Sequence, residues 1–207
     1  MKRKGTLVVI SGFSGAGKGT ISRKLVEKYG YSLSVSATTR DPRQGEVDGV
    51  DYFFRTQAEF LKMIDYNGLI EYARYVDHYY GTPRKFVEDE LEAGHVVILE
   101  IEVQGALKIR EQYPDAVLVF VTAPSAEVLR KRLAGRGTES PEQIEKRMRR
   151  AAEEADTIEN YEYLVCNHEG RLDECTETIH AIIESHACRT VLHEDFIREM
   201  KEGLRGC

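Results

Sequence analysis

Residues 7–20 constrain this chain more than any other segment. Leu7-Val8-Val9-Ile10 is a short apolar run rich in β-branched residues, and it leads into Gly12-Phe13-Ser14-Gly15-Ala16-Gly17-Lys18-Gly19-Thr20. A run of that length closed by glycines reads as a buried parallel strand. From Lys18 onward Ile21, Leu25 and Val26 share one helical face, and Gly30 supplies the stop. Strand, glycine-rich loop and helix in this order make a phosphate cradle. The glycines let backbone N–H groups close around phosphate oxygens, the helix adds its positive dipole end, and Lys18 reaches the outer phosphates. The nucleotide-binding candidates are therefore Ser14, Gly15, Ala16, Gly17, Lys18, Gly19 and Thr20. The strict pattern puts Ser or Thr directly after the lysine, whereas Gly19 intervenes here and the hydroxyl comes at Thr20. Ligation of Mg²⁺ by Thr20 is thus open between a direct contact and one through water.

Further apolar runs extend the pattern. Val96–Ile101 and Val117–Val121 have strand length, and Val103–Gln112 between them suits a crossover helix. Such alternation predicts an α/β fold, a P-loop core of three layers with a parallel sheet covered on both faces. Leu33, Val35 and Ala37 alternate with Ser34, Ser36 and Thr38, which predicts one half-buried strand. Asp41–Gly49 reads as a loop and Tyr52-Phe53-Phe54 as a strand. Thr56 with Glu59 forms a capping box, and Thr82-Pro83 opens a helix that Gly94 ends. Later, Ser125 caps one helix ending near Gly135, and Ser140-Pro141 opens a longer one to about Asn160. Tyr163–Cys166 is a last strand, with helix from Leu172.

Composition excludes several classes. No apolar run among the 207 residues approaches the ~20 needed to span a bilayer. The stretch after the basic Met1-Lys2-Arg3-Lys4 is too short for a signal peptide, so a cytoplasmic protein is expected. A net charge of −6 argues against general nucleic-acid binding. Cys166, Cys175, Cys188 and Cys207 lack metal-site spacing. The tail from Thr190 to Cys207 carries Val191, Leu192, Phe196, Ile197 and Met200 near helical spacing, and it leaves the choice between monomer and homo-oligomer open.

Three places concentrate anion-binding chemistry. Ser36-Ala37-Thr38-Thr39-Arg40-Asp41-Pro42-Arg43-Gln44-Gly45-Glu46 puts Arg40 and Arg43 on a loop stiffened by Pro42, and a guanidinium fork suits phosphate. Glu100 and Glu102 alternate at the end of the Val96–Ile101 run, hence on one face, where such a strand approaches metal and phosphates. From Arg130 to Arg150 there are eight Lys or Arg and only three Glu. Within that stretch Arg132 and Arg136 share a helical face and Arg147 borders the apolar stripe, while Arg149 and Arg150 have weaker claims.

Together with Tyr79-Tyr80-Gly81-Thr82, Gly135-Arg136-Gly137-Thr138-Glu139 and Asn167, the Ser36–Glu46 segment resembles the guanylate kinase family in order from about Thr6 to Ser185. The resemblance implies transfer of the terminal phosphoryl group of ATP to GMP with Mg²⁺. It implies a GMP-phosphate cup at Arg40, Arg43, Tyr52 and Tyr80, and guanine contacts at Ser36, Glu71, Thr82 and Glu102. It implies phosphoryl-contacting arginines at Arg132, Arg136 and Arg147, and an ATP side that includes Arg132 and Asn167. Lys18, Arg43, Arg136 and Arg147 are the expected catalytic residues. The family commonly carries Asp at the two strand-end positions; here Glu100 is assigned to the metal–water shell and Glu102 to the GMP side. The implied organisation is a core of 1–34, 86–125 and 161–207, a GMP-binding insertion at 35–85 and a lid at 126–160. The rival expectations are a kinase for another nucleoside monophosphate and a non-catalytic phosphopeptide-binding module of similar fold.

Overall fold

The structure, a computed structural model, describes residues 5–43, 45–75, 77–135 and 140–205. The chain begins with β1 (Thr6–Gly12), α1 (Lys18–Tyr29), β2 (Ser32–Leu33), β3 (Ala37–Thr38) and β4 (Phe53–Phe54). Then follow α2 (Gln57–Asp65), β5 (Leu69–Tyr75), β6 (His78–Pro83), α3 (Arg84–Glu92), β7 (Val96–Glu100) and α4 (Val103–Gln112). The last elements are β8 (Val117–Thr122), α5 (Ala126–Ala134), α6 (Pro141–Ala155), β9 (Tyr163–Cys166), α7 (Leu172–Ala187) and α8 (Glu194–Arg205).

One sheet, ordered β2-β7-β1-β8-β9, is parallel throughout. Its strands read as continuous apolar runs because both faces are covered. Successive residues of β1 point to opposite faces. Val8 and Ile10 pack with Ile21 and Leu25 of α1 and Ile179 and Ile183 of α7. Leu7 and Val9 pack on the other side with Val87 of α3 and Ala106 and Ile109 of α4. The result is helix, sheet, helix, the expected three-layer core.

A second sheet, ordered β4-β3-β6-β5, is built from residues 37–83. The single strand expected over residues 33–38 is not formed. Leu33 pairs with Ile98 in the first sheet, Ala37 pairs with Phe53 and Gly81 in the second, and residues 34–36 cross between them. The alternation reflects two half-buried faces belonging to different sheets, which periodicity cannot separate. Ser34 N–H still donates to Ile98 O (2.9 Å), whereas Ser36 O already accepts from Phe53 N–H (2.9 Å). Ser36 therefore stands at the crossing point, where the two sheets flank a cleft.

The other local signals have physical counterparts. Thr56 and Glu59 form a reciprocal capping box on α2. Ser140 and Gln143 do the same on α6, which ends at Ala155 before a 3₁₀ turn at Ile158–Asn160. Thr82 and Pro83 belong to β6 and not to α3, which begins at Arg84. Cys166, Cys175 and Cys188 are free thiols. Among the described residues, no helix is long and apolar enough to cross a membrane. The tail does form a helix, α8, but none of its residues is buried, and Phe196, Met200 and Leu204 are exposed.

Candidate active site

The loop between β1 and α1 is shaped by what surrounds its glycines. Gly12 has φ 139°, and a Cβ there would stand 2.0 Å from Val121 O of the adjacent strand, so no side chain fits. Gly17 has φ 99° and caps α1, and a Cβ there would stand 2.5 Å from the amide nitrogen of Asn167. Only glycine tolerates that combination of left-handed backbone and close approach. Asn167 Nδ2 donates to Ala16 O (2.8 Å), and Arg132 Nη2 donates to Asn167 O (2.8 Å). These two predicted ATP-side residues thus lie behind the loop and brace its backbone; they do not line the cleft in front of it. Gly17 offers α1 no side-chain cap, so the first-turn N–H groups remain available at the positive end of the helix.

In front of the loop lies a cleft of about 430 Å³. Lys18 Nζ lies on its wall and donates to Gly12 O (2.7 Å) and Phe13 O (3.3 Å). Ser14, Gly15, Gly17, Gly19 and Thr20 also line it, whereas Ala16 is fully buried beneath the loop. Glu100 ends β7 beside α1, with its Oε2 3.4 Å from where a Gly19 Cβ would stand. Burial pushes its carboxyl above the usual carboxylate range, with the Lys18 charge pulling the other way. Glu102, two residues on, stands at the N-terminal boundary of α4 without a side-chain cap hydrogen bond and lines the same cleft.

The opposite wall belongs to the second sheet. Arg40 Nη2 donates to both oxygens of Glu46 (2.9 Å each), and Arg43 N–H donates to Glu46 Oε2 (2.7 Å). Only 13% of the Arg40 side chain and 18% of that of Glu46 are exposed, so this pair is worth more than a solvated surface bridge. Glu46 thus holds the Arg40 guanidinium and the backbone of the loop at Arg43, and both arginines line the cleft. The Arg40 guanidinium also lies over the Tyr52 ring (5.5 Å), and Tyr52 meets Tyr80 edge-on (6.1 Å). Burial, and then the Glu100 charge, push the Tyr52 phenol up to about 12. It therefore remains a hydrogen-bond donor at neutral pH.

Deeper on this wall lies Glu71, on β5. It is only 5% exposed, and its Oε1 accepts from Thr82 Oγ1 on the paired strand β6 (2.7 Å). Burial raises its pKa, with the Thr82 hydrogen bond opposing. A solvated strand carboxylate, the ordinary reading of such a residue, is not what the structure contains. Ser36 and Ala73 line the cleft nearby, while Thr82 is fully buried and reaches the cleft through Glu71.

Helix α6 closes the third side. Arg147 Nη1 donates to Ser14 Oγ (2.7 Å), so this arginine already touches the phosphate loop. Arg150 lines the cleft while Arg149 is exposed, which separates two residues that spacing alone had grouped. Arg150 Nε donates to Glu154 Oε1 (3.2 Å), and Glu154 is itself buried on the cleft wall. Burial, and then the Glu102 charge, push the Glu154 carboxyl up. Arg136 lies outside the described residues.

One cleft thus joins Lys18 and Thr20, the acids Glu100 and Glu102, the wall formed by Ser36, Arg40, Arg43, Tyr52, Glu71 and Tyr80, and Arg147. Sequence reasoning did not single out Glu46, Gly105 or Glu154, and it gave Arg150 a weaker claim than Arg147. Glu46 had a legible signal, since it lies three residues after Arg43. Glu154 also had one, since it lies seven residues after Arg147 and so on the same helical face beside the apolar stripe.

A family model described as guanylate kinase matches residues 4–186. A guanylate kinase of Caldanaerobacter subterraneus subsp. tengcongensis is 48% identical over 203 residues, covering 98% of each chain. One of Latilactobacillus sakei is 48% identical over 191 residues, covering 91% of this chain and 93% of its own. The crystal structure of guanylate kinase from Anaplasma phagocytophilum superposes with a TM-score of 0.76 at 32% identity, covering 94% of this chain and 97% of that one. Nearly the whole chain is shared in sequence and in fold, with the cleft inside the shared part, and the chain belongs to the guanylate kinase family.

Proposed function

We propose that this chain transfers the γ-phosphoryl group of ATP to GMP, giving ADP and GDP. The carrying observation is that a buried carboxylate, Glu71, shares one cleft with the lysine of a phosphate loop, with Arg40 and Arg43 on the same wall as Glu71. Guanine presents N1–H and the 2-amino group as adjacent donors on one edge, and a carboxylate accepts from both. Adenine lacks that pair. The relatives named as guanylate kinases at 48% identity support the same reaction.

Residue roles follow from position. Lys18 and the N–H groups of the loop hold the phosphates of ATP, and Arg40, Arg43, Tyr52 and Tyr80 take the phosphate of GMP. An oxygen of that phosphate attacks the γ-phosphorus as the bond to the bridging oxygen of ADP breaks. The attacking atom is already anionic, so no separate base is needed. Positioning and charge stabilisation supply the rate. Residues 35–85 act as the GMP-binding insertion, and 126–160 as a lid that carries Arg147 to the phosphates and keeps water out. Arg136 acts with Arg147 at the transferred group. Arg132 and Asn167 serve ATP by bracing the loop from behind, Asn167 directly and Arg132 through Asn167.

Magnesium fits the donor set. Glu100 and Thr20 offer hard oxygens beside the first turn of α1. Among the described residues no cluster of three or more His, Cys, Asp or Glu side chains could hold a metal alone. One carboxylate, with phosphates and water completing the shell, is the usual magnesium arrangement. When bound, the ion neutralises phosphate charge and helps hold the two nucleotides in line.

Glu71→Gln tests base selection. It replaces an acceptor oxygen with an NH₂ group that faces donors, and GMP selection should weaken by about 1–3 kcal/mol, roughly 5- to 150-fold in kcat/KM. Full GMP preference in this variant would mean that the base is read elsewhere.

A further inference from the structure

Gly105 is the third residue of α4, and its surroundings explain why no side chain stands there. A Cβ at this position would lie 2.7 Å from Glu71 Oε2, 3.1 Å from Glu71 Cδ and 3.3 Å from Ile101 Cδ1. Glu71 is tethered on its other side, where Oε1 accepts from Thr82 Oγ1 (2.7 Å). The carboxylate is therefore clamped between a hydroxyl on β6 and the bare backbone of α4.

We infer that Gly105 is a specificity-positioning residue, which sets where the Glu71 carboxylate presents its oxygens to the base. The inference rests on the reading of Glu71 as the guanine acceptor. A methyl group at 105 cannot be accommodated by α4, whose neighbours Val103, Ala106 and Ile109 are fixed in the core. The end of the glutamate side chain is what can move. Thr82 and the buried surroundings hold it in place on one side, so it swings away from Gly105 toward the open cleft, out of register with guanine's two donors. Gly105 touches neither nucleotide in this scheme; it acts through Glu71.

Alanine is a much stronger helix former than glycine, so a Gly105→Ala variant should lose no helical stability from propensity. Loss of selection can therefore be separated from loss of fold. The experiment compares GMP with inosine monophosphate, which keeps N1–H but lacks the 2-amino group, by isothermal titration and by steady-state kinetics. For Gly105→Ala, the selection for GMP over inosine monophosphate should fall by about tenfold or more. The loss should appear in KM for GMP, with kcat largely kept and the melting temperature close to that of the parent. Shortening the acid in the same background, Gly105→Ala with Glu71→Asp, should return part of the selection. Independent effects would instead multiply.

Glu71→Gln, run alongside, separates the two levels of the claim. If it leaves selection intact, the Glu71 reading fails and this inference falls with it. If Glu71→Gln collapses selection but Gly105→Ala does not, only the role of Gly105 is overturned. A Gly105→Ala variant that melts earlier yet selects as the parent does also overturns it, as does a double variant whose losses multiply.

Discussion

Replacing Lys18 with methionine should lower kcat by about 10³-fold or more, since a preorganised donor aimed at transferring phosphates is worth 10² to 10⁵ in comparable sites. Methionine keeps the unbranched stem and loses only the charge and its donors. In the folded chain those donors meet Gly12 O and Phe13 O, and Phe13 O also accepts from Ala16 N–H (3.0 Å), a turn bond that does not involve the Lys18 side chain. Losing them should cost about 1 kcal/mol, a shift of roughly 2–4 °C in melting temperature for a chain of this size. Stopped-assay kinetics beside a circular-dichroism melt check both halves. A folded variant with parental kcat would remove the loop from the chemistry.

Arg147→Ala should be the next most damaging change, lowering kcat by about 10²- to 10³-fold with a smaller change in KM for either nucleotide. Arg147 reaches from α6 to Ser14 on the phosphate loop, 133 residues away in sequence, at 2.7 Å. In the proposed transfer, a guanidinium held there would lie where equatorial oxygens gather charge. Lysine at the same position should rescue poorly, because a point charge cannot reproduce the planar fork. Single-turnover measurements that locate the loss in binding instead of transfer would contradict this placement.

How much of this was legible beforehand depended on whether a signal was local. Strand β1, helix α1 and their loop were readable because every requirement falls within 25 consecutive residues. The caps at Thr56, Ser125 and Ser140 were readable for the same reason. The break at residues 34–36 was not, because alternation in sequence carries no information about which sheet receives each strand. The β5–β6 hairpin went unassigned as well, and with it the burial of Glu71. A glutamate in a polar, aromatic stretch looks solvated until its partner Thr82 is brought opposite it. The roles given to Arg132 and Asn167 illustrate another limit. Motif resemblance marks them as important to the ATP side, and the structure adds the loop-bracing contacts that spacing cannot reveal.

Glu46 and Gly105 share a lesson. Neither offers chemistry to a substrate. One folds the arginine loop by accepting from Arg40 and Arg43 N–H together, and the other clears room for a carboxylate. Both become visible only when distances between non-neighbouring residues are known. The same distances bear on the rival expectations. A phosphopeptide-binding module has no need of a lysine, two strand-end acids and a loop-touching arginine converging on one cleft.

The most direct measurement is ADP release from Mg-ATP in a coupled assay, with GMP, AMP, CMP and UMP offered as acceptors to the full chain. Turnover with GMP, and little with the other three, is the expected result, and it would establish reaction and base choice together. Turnover with a different monophosphate would contradict the role of Glu71, and folded protein that turns over none of them would contradict the kinase reading itself.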